Sequence, residues 1–418
     1  MQNRPYTVGT VNPDSSRERS GETAALQGLA APAAKRRSPL RRLLAAAIIA
    51  LGFLYIAFLG LSSFPRDNAA QRDFIQYWAA GRLIVHHQNA YDLDAIYALE
   101  KSAGMHRNRA RISISPPVAL ELAAPLGLVG PKLGLVLWLL AQLGSLGLSL
   151  WLLWVAFGRP NSRYHLLGFL FAPTIACQLA GQLGIFFLLS LALFLCLHRT
   201  GPFLAGAVLF PFALKPHLFL PLALCLLLWS LFRRRFSMLA GFVAALGLSC
   251  AASLYFDPHA WAHYSVLMRQ FGILNDFIPA PSVALRFLIA PSAVWIQFVP
   301  EAAACLWAAW FFWTHRHEWE WSDHGLLVLL VAELCAPYGW FFDESVLFPA
   351  ILAGIYRAVE GRKSLAPIFL FGGVALVETV FGKPLQGYYY IWTTPAWLAW
   401  YLYATRFHPR PAVDTDIP

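Results

Sequence analysis

The chain is organised as long, unbroken apolar runs separated by short polar links. The runs fall at 43–61, 131–157, 164–179, 183–197, 202–214, 218–232, 237–255, 283–312, 324–337, 345–357, 365–381 and 389–405, about twelve in all. Continuous apolar segments of this kind predict membrane-spanning helices. The first, "LLAAAIIALGFLYIAFLGL", is as long as a bilayer core is thick. Several later runs have only 13–15 residues, which as helix would cover roughly 20 Å of a ~30 Å core. Backbone that turns inside the membrane thickness is tolerated only where it is buried in protein or lines a wet cavity.

The polar links carry a direction. Alternating sides groups "GRPNSR", "HRTG", "RRRF", "HRHEWEW", "RAVEGRKS" and "RFHPRPAV" on one side, and each contains Arg or Lys. The basic cluster Lys35, Arg36, Arg37, Arg41 and Arg42 ahead of the first run falls on the same side. Positive charge of this kind marks the cytoplasm, so both termini are expected inside and the loops 64–130 and 256–282 outside. The few acids within runs, Glu301, Glu333 and Glu378, lie near outer ends. Together with the short runs they predict a cavity open to the non-cytoplasmic side. Residues 1–38 are polar and aperiodic and read as a disordered cytoplasmic tail. Residues 408–418 form a second tail.

Composition agrees. Of 418 residues, 58% are hydrophobic and 13% charged, against roughly 45–50% and 25% in soluble domains. Sixteen Trp and fifteen Tyr suit a protein with two membrane interfaces. The net charge of +10 resides in the links, so the bilayer and not nucleic acid is the expected partner. All six cysteines lie inside apolar runs without a CxxC and read as small buried hydrophobes. No metal site and no cofactor is expected.

The candidate chemistry sits at outer ends. In "RDFIQYWAAGRL" (72–83), a helix would stack Asp73 and Tyr77 on one face. Phe74 and Trp78 would form a neighbouring stripe lying on the bilayer surface. Asp73 is either a catalytic carboxylate at the cavity mouth or a solvated acid. "NAYDLDAIYALE" (89–100) predicts a second helix over 93–101, capped by Asn89 or Asp92. Arg82 and Tyr91 are further candidate substrate contacts in this loop. "ALKPHLFLPL" (213–222) places Lys215 before a proline, which biases it out of helix, with His217 beside it. Lys215 either grips an anionic lipid head group or snorkels to the interface. Gln182, in "AGQLGIFF", can hydrogen-bond a sugar or cap its turn. Asp343, in "APYGWFFDESVLFP" with Tyr338 and Trp340, can bind substrate or start a helix.

The ordered set "DFIQYWAAGRL…NAYD", "SPPVALELAAPLGLV", "GQLGIFFLLSLAL…ALKPHLFLPL" and "APYGWFFDESVLFPAIL" resembles glycosyltransferase family 87. These are GT-C-type membrane enzymes that use polyprenyl-phosphate sugars, notably mannose. The resemblance covers roughly residues 40–405 and implies one GT-C-like transmembrane domain over 39–407, all-α, with amphipathic helices in the first outer loop. It implies a base at Asp73, substrate contacts at Tyr77, Gln182, Lys215, Tyr338 and Asp343, and inversion at the sugar. It also implies a polyprenyl-phosphate sugar donor and a glycolipid or glycan acceptor at the outer face of a bacterial inner membrane. The family often has an aromatic before the paired prolines, where this chain has Ser115. The alternative reading is a polytopic transporter or lipid flippase, which commonly shows inverted repeats; none is evident.

Overall fold

The computed structural model describes residues 68–111, 114–270, 277–381 and 388–406. They belong to one compact unit, Leu59–Pro418. The expected tails (1–38 and 408–418) and the first apolar run (43–61) lie outside the described residues. Among the described residues all regular structure is helical. Three helices are long and apolar enough to cross a membrane: Pro131–Ala156, Phe236–Phe256 and Val294–His315. Shorter apolar helices include Gly184–Leu197, Pro216–Phe232 and Ala366–Val380.

Two short helices are inner ones, while the short Ala366–Val380 buries only three of its 15 residues. Gly184–Leu197 buries nine of its 14 residues and Phe348–Glu360 nine of 13. The long Phe236–Phe256 buries only four of 21, leaving apolar side chains such as Leu248 and Tyr255 outward. Helices such as Phe236–Phe256 thus wall a core that includes these two short ones, which is where short spans are tolerable. One wall is fastened by direct backbone contact. A Cβ on Gly206 would lie 1.8 Å from Met238 O, and one on Gly241 1.9 Å from Phe203 O. Small residues permit such approach between apolar helices.

Proline sets several boundaries. Helices begin with Pro131, Pro202, Pro216 and Pro281 at the first position, where the missing N–H costs nothing. The run 283–312, expected as one span, is broken. It forms Pro281–Ile289, a 3₁₀ turn Val294–Phe298, and Val299–His315. Ala290, ahead of Pro291, is extended (φ −158°, ψ 97°), as a pre-proline residue prefers. The run 202–214 likewise divides into Pro202–Ala207 and the 3₁₀ turn Phe210–Leu214, the latter containing Pro211.

The first loop contains both expected helices, Phe74–Val85 and Leu93–Ser102. Asp92 caps the second, its Oδ1 accepting from the N–H groups of Asp94 (3.0 Å) and Ala95 (3.1 Å). The stripe of Phe74 and Trp78, expected on the bilayer surface, is instead core: both are buried. Trp78 Nε1 donates to Val129 O at 2.9 Å, and Phe74 packs 6.3 Å from the Trp138 ring. The cause is close backbone contact further along the same face of the helix. A Cβ on Gly81 would meet Ala123 O at 2.1 Å, so this helix lies tight against residues 123–127.

Candidate active site

Six segments meet at one end of the bundle: the start of Phe74–Val85, the stretches 107–111 and 114–116, the turn at Gln182, and the facing turns 213–217 and 338–342. Between them lies a cavity of about 920 Å³. The basic links sit at the other ends of the same helices, Arg199 after Gly184–Leu197 and Arg233 after Pro216–Phe232.

Asp73 stands at the N-cap position of its helix, yet its backbone is helical (φ −65°, ψ −19°) and its side chain makes no cap bond. The carboxylate faces the cavity instead. Oδ2 accepts from Gln182 Nε2 at 3.1 Å, and Oδ1 is ion-paired with Arg111. Tyr77, one turn along, donates its hydroxyl to Gln182 Oε1 at 2.9 Å and stacks on Trp138. The Asp73–Tyr77 face expected from spacing is therefore closed by Gln182. Burial pushes the Tyr77 hydroxyl well above the ordinary phenol range, and the negative charge of Asp73 adds to that. Tyr77 is thus held as a neutral donor.

Gln182 is itself positioned. Gly181 before it is left-handed (φ 76°) and touches Phe74, so that a Cβ there would lie 2.7 Å from Phe74 Cβ. Gln142, fully buried within Pro131–Ala156, donates Nε2 to Gln182 O at 2.6 Å. Trp138 Nε1 donates to Gly181 O at 3.0 Å. These bonds fix the turn from behind and leave the Gln182 amide for Asp73 and Tyr77.

On the opposite wall Lys215 has non-helical backbone (φ −137°, ψ 67°), as its pre-proline position predicts. Its ammonium donates to Asp343 Oδ1 at 2.6 Å and lies 5.3 Å from the Phe342 ring centre. It does not run to a free surface: the side chain is 14% exposed. His217 stacks on Tyr338, ring centres 3.8 Å apart. Asp343 is 1% exposed and stands behind Lys215, with the Trp340 N–H donating to its Oδ2.

Of the candidate residues, Asp73, Tyr77, Gln182, Lys215, His217 and Tyr338 line this one cavity, and Asp343 touches it through Lys215. Arg82 and Tyr91 are not brought to it. Arg82 Nη1 donates to Gly127 O at 2.9 Å, and the Tyr91 hydroxyl to Ser115 O at 2.9 Å. Both are engaged in holding the first loop together. Sequence reasoning missed Arg107, Arg109 and Arg111, which line the cavity with Trp261, Tyr264 and Trp340. The signal was present: "RNRAR" places an arginine at every second position of a link assigned to the side where basic residues are disfavoured. Among the described residues no group of three or more His, Cys, Asp or Glu side chains is arranged to hold a metal ion.

A model of glycosyltransferase family 87 matches residues 114–337, more than half of the 418-residue chain. The chain belongs to glycosyltransferase family 87. No curated protein and no solved structure matches it. The family 87 match spans the Gln182 turn and the Lys215–His217 turn. Asp73, Arg111, Tyr338 and Asp343 lie outside it, and the structure brings them to the matched residues. Membership makes the protein a glycosyltransferase, with a sugar donor and an acceptor as its substrates, and its apolar helices set that chemistry in a membrane.

Proposed function

We propose that this glycosyltransferase moves a hexose, mannose, from a polyprenyl-phosphate sugar to a hydroxyl of a glycolipid or glycan. In this reading the cavity faces the non-cytoplasmic side of a bacterial inner membrane, within a bundle of about twelve spans. One observation carries the reading: a carboxylate that caps nothing, Asp73, and an ammonium, Lys215, line the same cavity. Its volume of about 920 Å³ is at the upper end of the ~300–1,000 Å³ common for ligand sites, suited to a sugar phosphate and an acceptor together.

The chemistry needs both groups. Asp73 takes the proton of the acceptor hydroxyl as its oxygen attacks the anomeric carbon. The bond from that carbon to the phosphate oxygen breaks, and the departing electron pair leaves with the phosphate. Lys215 stabilises the growing negative charge, with His217 beside it. Attack opposite the leaving phosphate inverts the sugar. Gln182 and Tyr77 hold Asp73 in line.

The test is to incubate purified protein with a panel of radiolabelled polyprenyl-phosphate sugars and membrane lipids, and to identify products by mass. Transfer of mannose supports the reading. Transfer of a different sugar corrects the donor, and the absence of transfer with ion-dependent uptake would point to the transporter. The cavity's charged groups lie at one end of the bundle and not at its middle, which disfavours that alternative.

A further inference from the structure

Arg111 is built into the site more firmly than a surface arginine. Its Nη2 donates to Gln71 O at 2.6 Å, and its Nη1 pairs with Asp73 Oδ1. Its backbone N–H donates to Glu100 Oε2 at 2.8 Å; Glu100 is fully buried. Gln71 in turn donates Nε2 to Gly104 O at 3.2 Å. The segments 68–73 and 100–111 are thereby laced together around one guanidinium, whose side chain is only 12% exposed. Taking most of an arginine side chain out of water carries a desolvation cost. Burial pulls its guanidinium below the ordinary range, and Asp73 opposes that pull. Holding the first loop together does not account for this expense, since the loop helices already dock through Trp78, Arg82 and Tyr91.

We propose that Arg111 is the positioning residue of Asp73, fixing one carboxylate oxygen while Gln182 fixes the other, so that the group is aimed at the acceptor hydroxyl. The inference rests on the reading of Asp73 as the base. A carboxylate offers about four lone-pair sites, so one hydrogen bond on each oxygen leaves both able to accept. The planar fork matters as well as the charge. It bridges the Gln71 carbonyl and the carboxylate from two separate nitrogens held in one plane, a geometry that a single ammonium nitrogen does not reproduce. The other ionisable groups around the pair are Tyr77 on the same helix, Glu100 and Arg107 beside Arg111, and Asp94, Tyr97, Arg109, Lys215, His217, Tyr264 and Tyr338 around the cavity. Lys215 is already paired with Asp343. Among the described residues Arg111 is the cation paired with Asp73.

The experiment measures kcat and donor KM for full-length protein in nanodiscs, with polyprenyl-phosphate mannose as donor and a membrane-lipid extract as acceptor. In Arg111→Gln kcat should fall by about 10²-fold, with donor KM within about threefold. Arg111→Lys, which keeps the charge but not the fork, should recover part of that loss and stay about tenfold below wild type. A wild-type kcat in Arg111→Gln overturns the proposal, as does a loss confined to donor KM. If thermal unfolding shows that Arg111→Gln does not fold, Arg111→Lys decides: wild-type kcat there overturns it, and a tenfold loss of kcat at unchanged donor KM sustains it. Asp73→Asn separates the two readings. If it transfers sugar normally, the base assignment itself fails. If it is inactive while Arg111→Gln keeps the wild-type kcat, only the role of Arg111 fails.

Discussion

Lys215 and Asp343 are 128 residues apart in sequence and their side chains meet at 2.6 Å, the lysine at the cavity surface and the aspartate behind it. The pair ties the pre-proline turn of one helix to the 3₁₀ turn Asp343–Leu347. The cation proposed for phosphate binding is thus also the partner of a buried acid. Removing it leaves Asp343 uncompensated, and breaking a buried pair from one side typically costs about 3–5 kcal/mol.

Lys215→Gln should therefore lose donor use and stability together. The double variant Lys215→Gln/Asp343→Asn should recover most of the thermal stability but not the donor use. Donor KM, kcat and unfolding temperature of the three proteins check this. Normal donor kinetics in the double variant would confine Lys215 to a structural part.

Asp73→Asn keeps the shape of the side chain but cannot take up the acceptor proton. Transfer should fall by about 10²–10⁴-fold, while donor binding survives because Lys215 is untouched. Asp92→Asn is the matched control, since Asn also caps helices well; it should transfer at close to the wild-type rate. Rates and donor affinities measured side by side distinguish a base from a nearby acid.

Gly181→Ala tests the turn behind Gln182. The residue is left-handed, which costs a non-glycine roughly 1–2 kcal/mol, and its new Cβ would press on Phe74. The expected result is a modest fall in unfolding temperature with a larger fall in kcat, because the Gln182 amide moves off Asp73. Equal wild-type kcat and a lowered unfolding temperature would show that Gln182 tolerates displacement.

Glu100 gives a pH dependence. Burial pushes its carboxyl up to about 7, although the Arg111 N–H bond acts in the opposite sense. The folded state therefore holds this proton more tightly than the unfolded one. The resulting stability is complete below about pH 4.5, declines as pH rises, and is gone above about pH 7. Glu100→Gln keeps an acceptor for Arg111 and removes the titration. The difference in unfolding temperature between variant and wild type should grow from pH 5 to 7 and then level off. A constant difference would sink this account.

Much of the architecture was legible because apolar runs and prolines act locally. Pro131–Ala156 and Phe236–Phe256 lie within a residue of their expected bounds, and Lys215 leaves helix where its proline requires. The side of the Phe74–Trp78 stripe was not legible, because a bilayer and a protein core reward the same apolar face. Arg82 and Tyr91 look like ligands for substrate in sequence, and only the three-dimensional contacts reveal that Gly127 O and Ser115 O already use them. Arg111 was missed for the converse reason. Its partner Asp73 is 38 residues away, and no local spacing encodes that pairing.

The arrangement of long outer helices around short inner ones has a consequence for the lipid environment. Hydrophobic mismatch acts on surfaces that touch acyl chains, and here those surfaces belong to helices such as Phe236–Phe256. The turns that line the cavity adjoin Gly184–Leu197 and Leu326–Cys335, each more than half buried, and Pro216–Phe232, which is buried along one face. If the cavity is the site of transfer, its place is expected to be held by the protein, with thicker or thinner bilayers deforming around the wall. Turnover is expected to vary little between nanodiscs of short and long acyl chains, even where unfolding temperature changes.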